Sequence, residues 1–298
     1  MKIYAPRYYT DFACIADKCT HSCCIGWEID IDKNTEAKYR SLSGEYAKII
    51  SDSIEHTDTA HFRLSDGERC THLSESGLCK IICEYGDGYL CDICREHPRY
   101  YNYTSEGIYA GVGMACEEAC RLILSSDGFH ELIRIGEETA DEIPLPAPIP
   151  HRDEIFAVLS DKSLHHEEKL TKLYETFGAI PSTLSDEAWK ELLFGLEYLD
   201  ESNKELFSCY TSNIKTPSEH ESTLCRALAY FVYRHAATAE DEGELRAALG
   251  FCFFAERLLA SILKSGKENA FVAARIISEE LEYSEDNTEA IKNEFLFA

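Results

Sequence analysis

Eleven of the chain's fourteen cysteines fall within its first 120 residues, and they come in groups. Cys14, Cys19, Cys23 and Cys24 form the first group, and Cys70, Cys79 and Cys83 the second. Cys91 with Cys94, then Cys116 with Cys120, close the series. Thiolates at this density collect soft metals, and a zinc ion or an iron–sulfur cluster takes about four of them. The pairs Cys19/Cys23, Cys79/Cys83 and Cys116/Cys120 share a C-x3-C spacing, which on a helix sets both sulfurs on one face a turn apart. Cys91-x2-Cys94 is the usual chelating spacing at a turn. Eleven thiols exceed one four-ligand site. Two sites, or one site with a shell of supporting thiols, both satisfy the count. Spacing does not choose between zinc and iron–sulfur. His21 and His72 lie inside the cysteine motifs as further possible ligands.

The elements that must position these thiols are less regular than those that follow. WEIDID (27–32) alternates like a short strand, as does 61–64. Residues 35–42, 44–54 and 116–124 have helical character, and 107–114 is a short Gly-broken segment. PLPAPIP (144–150) cannot continue a helix and reads as an extended spacer. Beyond it, apolar residues recur at helical spacing. Leu192, Leu193, Leu196 and Leu199 follow Trp189, with Ser185 as N-cap and Asp186 and Glu187 in the first turn. Leu224, Leu228, Phe231 and Val232 mark a second helix, Leu245–Leu263 a long third and Phe271–Leu281 a fourth. Cys209, Cys225 and Cys252 sit among these apolar residues as packed thiols. The expected fold is mainly α: an irregular cysteine-rich metal-binding region (1–143) with at most a short β-hairpin, a Pro-rich linker (144–150) and an all-helical domain (151–298).

A chain of 298 residues with 45 % hydrophobic content can bury a real core. Its formal net charge of −25 argues against a nucleic-acid partner, since phosphates need a basic surface. No stretch is long and apolar enough to predict a spanning helix, and the first residues do not read as a secretory signal. A cytoplasmic location is therefore expected, where clustered cysteines bind metal or do redox chemistry more often than they form disulfides.

CIADKCTHSCC (14–24), RCTHL (69–73), GLCKI (77–81) and CDICREHPRYYN (91–102) resemble the CxxCxxCC zinc- or iron-chelating family. Within it, the opening YAPRYYTDFACIADKCTHSCCIGWEIDID, HPRYYN and CEEACRLIL are similar to the flagellin lysine N-methylases. The resemblance covers about residues 4–125. It implies methyl transfer from S-adenosylmethionine to lysine side chains of flagellin, with a [4Fe-4S] cluster in the enzyme, or zinc in its place. On the family pattern and its spacing, the metal ligands are drawn from Cys14, Cys19, Cys23, Cys24, Cys70, Cys79, Cys94 and Cys116, with Cys83, Cys91 and Cys120 as second choices. The chemistry needs a neutral amine and a proton acceptor, for which His97, Tyr100 and Tyr101 are candidates. Arg95, Arg99 and Trp27 are candidates for holding S-adenosylmethionine through its carboxylate and its sulfonium. The strand–GxGxG–helix signature of ordinary nucleotide sites is missing; Gly111-Val112-Gly113 is a lone GxG. The competing function is a zinc- or iron-chelating binding or scaffold module without methyltransferase activity.

Overall fold

The structure is a computed structural model, described here for residues 1–139, 152–177, 182–236 and 238–296. The chain divides into two compact units. One is residues 13–99; the other combines residues 1–12 with 100–298. The expected linker at 144–150 lies outside the described residues. Among those described, residues 1–12 and 100–139 before it and the helices after it fall in the same unit.

Strand β1 (Lys2–Pro6) opens the chain and belongs to the larger unit. The smaller unit then runs β2 (Ile29–Asp30), α1 (Lys33–Ser41), α2 (Glu45–Ser53), β3 (Ile54–His56), β4 (Ala60–Phe62), β5 (Leu64–Ser65), β6 (Arg69–Cys70), α3 (Lys80–Tyr85) and α4 (Asp92–Glu96). β4 pairs antiparallel with both β2 and β3, and β5 with β6. Ile29, Ile31, Tyr39, Ile50, Phe62, Leu73 and Ile81 form the small apolar core, and Cys70 and Cys91 are buried in it. The alternating run at 27–32 and the segment at 61–64 are thus partners in one sheet.

The larger unit continues with β7 (Arg99–Thr104), β8 (Gly107–Val112), α5 (Glu117–Ser125) and β9 (Leu132–Glu137). Helices α6 (Arg152–Ser160), α7 (His166–Phe177), α8 (Asp186–Gly195), α9 (Asn203–Phe207), α10 (Glu221–His235), α11 (Glu242–Ser265), α12 (Ala270–Ile277) and α13 (Glu285–Leu296) follow. The sheet order is β7-β8-β1-β9, with β1 parallel to β8 and antiparallel to β9. This corrects the expectation of at most one short hairpin. β8 is buried along its whole length, so its residues do not alternate in polarity. The partners β1 and β9 are local fragments that become legible only once paired.

Helix makes up 54 % of the structure, as a mainly α reading requires. α11 is buried around nearly its whole circumference and packs against α10, α12 and α13, which makes it the central helix of the core. Asp241 caps its start by accepting from the Glu244 amide at 2.9 Å, and Gly266 ends it in the left-handed conformation. A side chain at Gly250 would overlap the Phe295 ring of α13. Ser185 caps α8 by accepting from the Ala188 amide at 3.2 Å. After α12 the chain continues as one π-helical turn, Ser278–Glu282.

Candidate functional site

Within the smaller unit, Cys24, Cys70, Cys79, Cys91 and Cys94 line one cavity of about 20 Å³, walled otherwise by apolar residues, Tyr39 and His72. Five thiols from four separate segments thus converge. Backbone pairing brings them together. The Cys70 amide donates to the Cys24 carbonyl at 2.8 Å, and Ile25 bridges Arg69. Leu73 bridges Cys79, and the Lys80 amide donates to the His72 carbonyl at 2.8 Å. Asp32 then fixes the last pair. One carboxylate oxygen accepts from the Thr35 amide to cap α1, and the other accepts from the Asp92 amide at the start of α4, each at 2.9 Å. That second bond, across 60 residues, seats the helix that carries Cys91 as its N-cap and Cys94 in its first turn.

The thiols differ in acidity. A hydrogen bond from Cys23 outweighs burial at Cys24 and lowers its pKa to about 7, with Ser22 and Arg69 adding to the effect. Burial pushes Cys70 up to about 11 and also raises Cys79. Cys91 and Cys94 lie with their sulfurs 3.3 Å apart and share a proton unequally: the bond to Cys94 favours the Cys91 thiolate, and Cys94 stays protonated. No disulfide joins any of the cysteines. His72 is not available as a ligand where it stands. Its Nδ1 meets the Tyr46 hydroxyl and its Nε2 the Ser53 hydroxyl, each at 2.9 Å, and burial lowers its pKa to about 4.

Among the described residues no three His, Cys, Asp or Glu side chains are arranged as metal ligands are. The donor set still has the chemistry of a soft-metal site: five thiols, with no carboxylate in the cavity wall. A cavity of about 20 Å³ has room for one atom-sized occupant, so a single ion matches it more closely than a four-iron cluster, for which the sulfurs must move apart.

The remaining predicted ligands are placed elsewhere. Cys14, Cys19 and Cys23 belong to the smaller unit but do not line the cavity; the Cys19 thiol donates to the His21 carbonyl at 2.8 Å. Cys83, one turn after Cys79, is exposed. Cys116 and Cys120 belong to the larger unit. Cys116 is the N-cap of α5, and Cys120 is buried in the core with its thiol donating to the Phe271 carbonyl at 3.4 Å.

Of the other predicted residues, Trp27 and His97 come together, with ring centroids 6.2 Å apart. The Trp27 indole donates to the Cys23 carbonyl at 2.7 Å, which ties it to the first cysteine group. Burial lowers the His97 pKa to about 4, so its imidazole is neutral at neutral pH. Arg95 is exposed and pairs with Asp92 and Glu96 on its own helix. Arg99 donates to the Arg95 carbonyl at 3.4 Å. Tyr101 is exposed, at 37 %. Tyr100 lies inside the larger unit, its ring against Gly111, where a Cβ would overlap it. The lone GxG therefore has a packing reason. Among the described residues the buried Tyr100 hydroxyl has no hydrogen-bond partner, and burial raises its pKa well above 10, so it keeps its proton at neutral pH and cannot serve as a phenolate base.

Sequence reasoning missed the charged cluster beneath that ring. The Arg234 guanidinium lies 4.8 Å from the Tyr100 ring centre. Its Nη1 donates to the Tyr230 hydroxyl at 2.9 Å and its Nε is 3.4 Å from Glu282, which also takes His235 at 2.7 Å. Glu282 closes the π-helical turn; the acid-rich SEELE stretch within an apolar helical pattern was its one sequence signal.

Several proteins of Salmonella are similar to the chain. Lysine-N-methylase of Salmonella choleraesuis (strain SC-B67) is 26 % identical over 177 residues, 56 % of this chain and 43 % of that protein. Lysine-N-methylase of Salmonella typhimurium (strain LT2) is likewise 26 % identical over 177 residues. Flagellar biosynthetic protein FliU of Salmonella muenchen is 26 % identical over 141 residues, 45 % of this chain and 81 % of that protein. The match spans less than half the length of the lysine-N-methylases. No protein-family model matches the chain, and no solved structure does.

Proposed function

We propose that the chain is a protein-lysine N-methyltransferase that uses S-adenosylmethionine and acts on flagellin. The similarity to lysine-N-methylases over 177 residues carries this reading. The name of the third relative, a flagellar biosynthetic protein, supports flagellin as the substrate class. Cys24, Cys70, Cys79, Cys91 and Cys94 would supply the ligands of a [4Fe-4S] centre. Held by these five thiols, such a cluster would supply Lewis-acidic iron.

In the transfer, the lysine Nζ lone pair attacks the methyl carbon, the carbon–sulfur bond breaks and its electrons return to sulfur. The products are methyl-lysine, S-adenosylhomocysteine and one proton. The attacking amine must be neutral, and the proton it sheds needs an acceptor. Burial depresses the His97 pKa to about 4, which leaves its imidazole neutral with a lone pair at neutral pH. The same shift makes it a weak base, so it would take the proton only in passing to solvent. Trp27, tilted beside it, would offer a ring face to a sulfonium or an ammonium. Tyr100, which stays protonated, and Tyr101, which is exposed, are less suited to the acceptor role.

Purified under anaerobic conditions and incubated with flagellin and S-adenosylmethionine, the protein should raise the mass of flagellin by about 14 Da per lysine methylated. His97→Ala should remove most of that gain while metal content stays unchanged. No gain on confirmed substrate by the metal-loaded protein leaves the chelating binding module as the function. The small cavity favours a second reading of the centre, one zinc ion. A broad absorption near about 400 nm distinguishes the cluster from colourless zinc.

A further inference from the structure

Cys225 packs among the apolar residues of α10, as its place in the sequence pattern predicts, yet apolar residues are not its only neighbours. It also lines a concavity of about 540 Å³ in the larger unit. The walls come from the end of α6 and the following turn, the start of α7, the start of α10 and the 127–130 turn. His166 and Lys169, three residues apart on one face of α7, line the same concavity.

Charged groups meet the sulfur from two sides. On one side, the wholly buried Glu256 accepts from Nε2 of His166 at 2.8 Å, and the other ring nitrogen, Nδ1, is hydrogen-bonded to Cys225. Burial opposes a charge on this imidazole, but Glu256 outweighs it and holds the pKa at about 9, so the ring is an imidazolium at neutral pH. On the other side, the Lys169 ammonium stands 3.7 Å from the sulfur. It also donates to the Leu159 carbonyl at 2.8 Å, and Asp161 is within its electrostatic reach. The Cys225 thiol donates to that same carbonyl at 3.2 Å. Loss of the thiol proton therefore leaves Leu159 with Lys169 as its donor, and no buried carbonyl is stranded. A cysteine reacts as its thiolate, and cations beside the sulfur favour that form. A thiol in hydrogen-bond reach of a histidine that a third group orients is the arrangement of activated nucleophiles. The imidazolium also suits an electrophile whose leaving group must take up a proton, as that of a peroxide does.

We propose that Cys225 is a reactive thiol, set between His166 and Lys169, that hydrogen peroxide entering the concavity oxidises to a sulfenic acid. The thiolate lone pair forms the sulfur–oxygen bond and the oxygen–oxygen bond breaks. The departing hydroxide takes the proton from Nδ1 of His166 and leaves as water; sulfur loses two electrons and the peroxide gains them. The site does not depend on the methyl-transfer reading. Treating the whole chain with equimolar hydrogen peroxide in the presence of dimedone, which traps sulfenic acids, and reading the label at each cysteine by peptide mass mapping tests it. Cys225, only 7 % exposed, should be labelled about tenfold or more faster than Cys209, which is more exposed but has its pKa raised by burial. Lys169→Met should slow the labelling of Cys225 by about tenfold and leave that of Cys209 unchanged. His166→Gln should slow it too, in protein whose circular dichroism is that of the parent; if it does not fold, the parent rates and Lys169→Met decide. Labelling of Cys225 no faster than that of Cys209, or at a rate untouched by Lys169→Met, overturns the proposal and leaves Cys225 a packed thiol.

Discussion

The two units bury their polar groups in opposite ways. In the larger unit, buried charges are paired: His166 and Arg257 with Glu256, and Arg234 and His235 with Glu282. The smaller unit buries mainly thiols, with one histidine, His72, held between two hydroxyls and another, His61, 3.3 Å from the exposed Glu28 carboxylate. Its apolar core is correspondingly small, resting on seven large buried side chains besides the thiols. A core of that size is marginal by itself, and small domains commonly add a metal or disulfides to compensate. Only thiols are present here, and none of them is in a disulfide. The larger unit, built around the all-buried α11, has no such need.

The largest expected effect follows from that contrast. If metal holds the smaller unit together, a strong chelator should raise amide hydrogen exchange throughout 13–99 and leave the core helices of 152–296 protected. Binding of a structural metal is worth on the order of 10 kcal/mol in comparable small sites, far more than any single contact here. Cys70→Ala should do the same without chelator, since Cys70 is both a cavity thiol and a core residue. Equal protection of 13–99 before and after chelation would show that the apolar core suffices.

Next in size is the pH response of the larger unit. His166 titrates near about 6.5 in an unfolded chain and at about 9 in the fold. Below pH 6.5 both states hold the proton, and the His166–Glu256 pair contributes its full stabilisation. Between 6.5 and 9 only the folded state holds it, so stability falls as pH rises through that window. The loss is on the order of 3 kcal/mol. His166→Gln should flatten the decline seen in denaturant titrations from pH 6.5 to 9, even though it destabilises the protein at every pH. A decline of unchanged slope in the variant would place its origin elsewhere.

Much of this contrast was legible in the amino-acid order, and the limits of legibility are physical. The Ser185 cap and the long α11 are local patterns, read correctly because capping and helical periodicity need only neighbouring residues. The 27–32 run and the 61–64 segment were readable for the same reason, though their pairing was not. The cysteine groups pointed to convergence, yet spacing ranked Cys91 behind Cys14, Cys19 and Cys23, which do not line the cavity. What selects Cys91 is Asp32, whose bond to the Asp92 amide spans 60 residues and has no local signal. His166, Glu256 and Glu282 sit inside apolar helical patterns, where periodicity reports burial and says nothing of which charges meet.

A smaller effect tests the Tyr100 side of the larger unit. Gly111→Ala places a methyl group into the Tyr100 ring and should cost about 1–3 kcal/mol, the usual range for overpacking. Tyr100→Phe removes a buried hydroxyl that has no partner, so it should be neutral or slightly stabilising in thermal melts. Combined with Gly111→Ala, it should recover part of the loss by shortening the ring. If Tyr100→Phe instead abolishes methyl transfer at unchanged stability, the hydroxyl positions a reacting group through a hydrogen bond and the larger unit takes part in the chemistry.

The smallest structural effect is expected at Arg95, and its smallness is what makes it informative. Arg95 is exposed and its ion pairs with Asp92 and Glu96 are local to α4. Solvent screens such pairs, and holding a long side chain in place costs entropy that offsets the attraction. Arg95→Gln should therefore leave the thermal midpoint and the metal content where they were. A guanidinium that also binds the carboxylate of S-adenosylmethionine would reveal itself in kinetics alone: KM for S-adenosylmethionine rises while kcat holds, the signature of lost uniform binding. An unchanged KM would assign Arg95 to its own helix, leaving the recognition of that carboxylate to other groups. Arg99, whose guanidinium reaches back to the Arg95 carbonyl, is then the next side chain to replace.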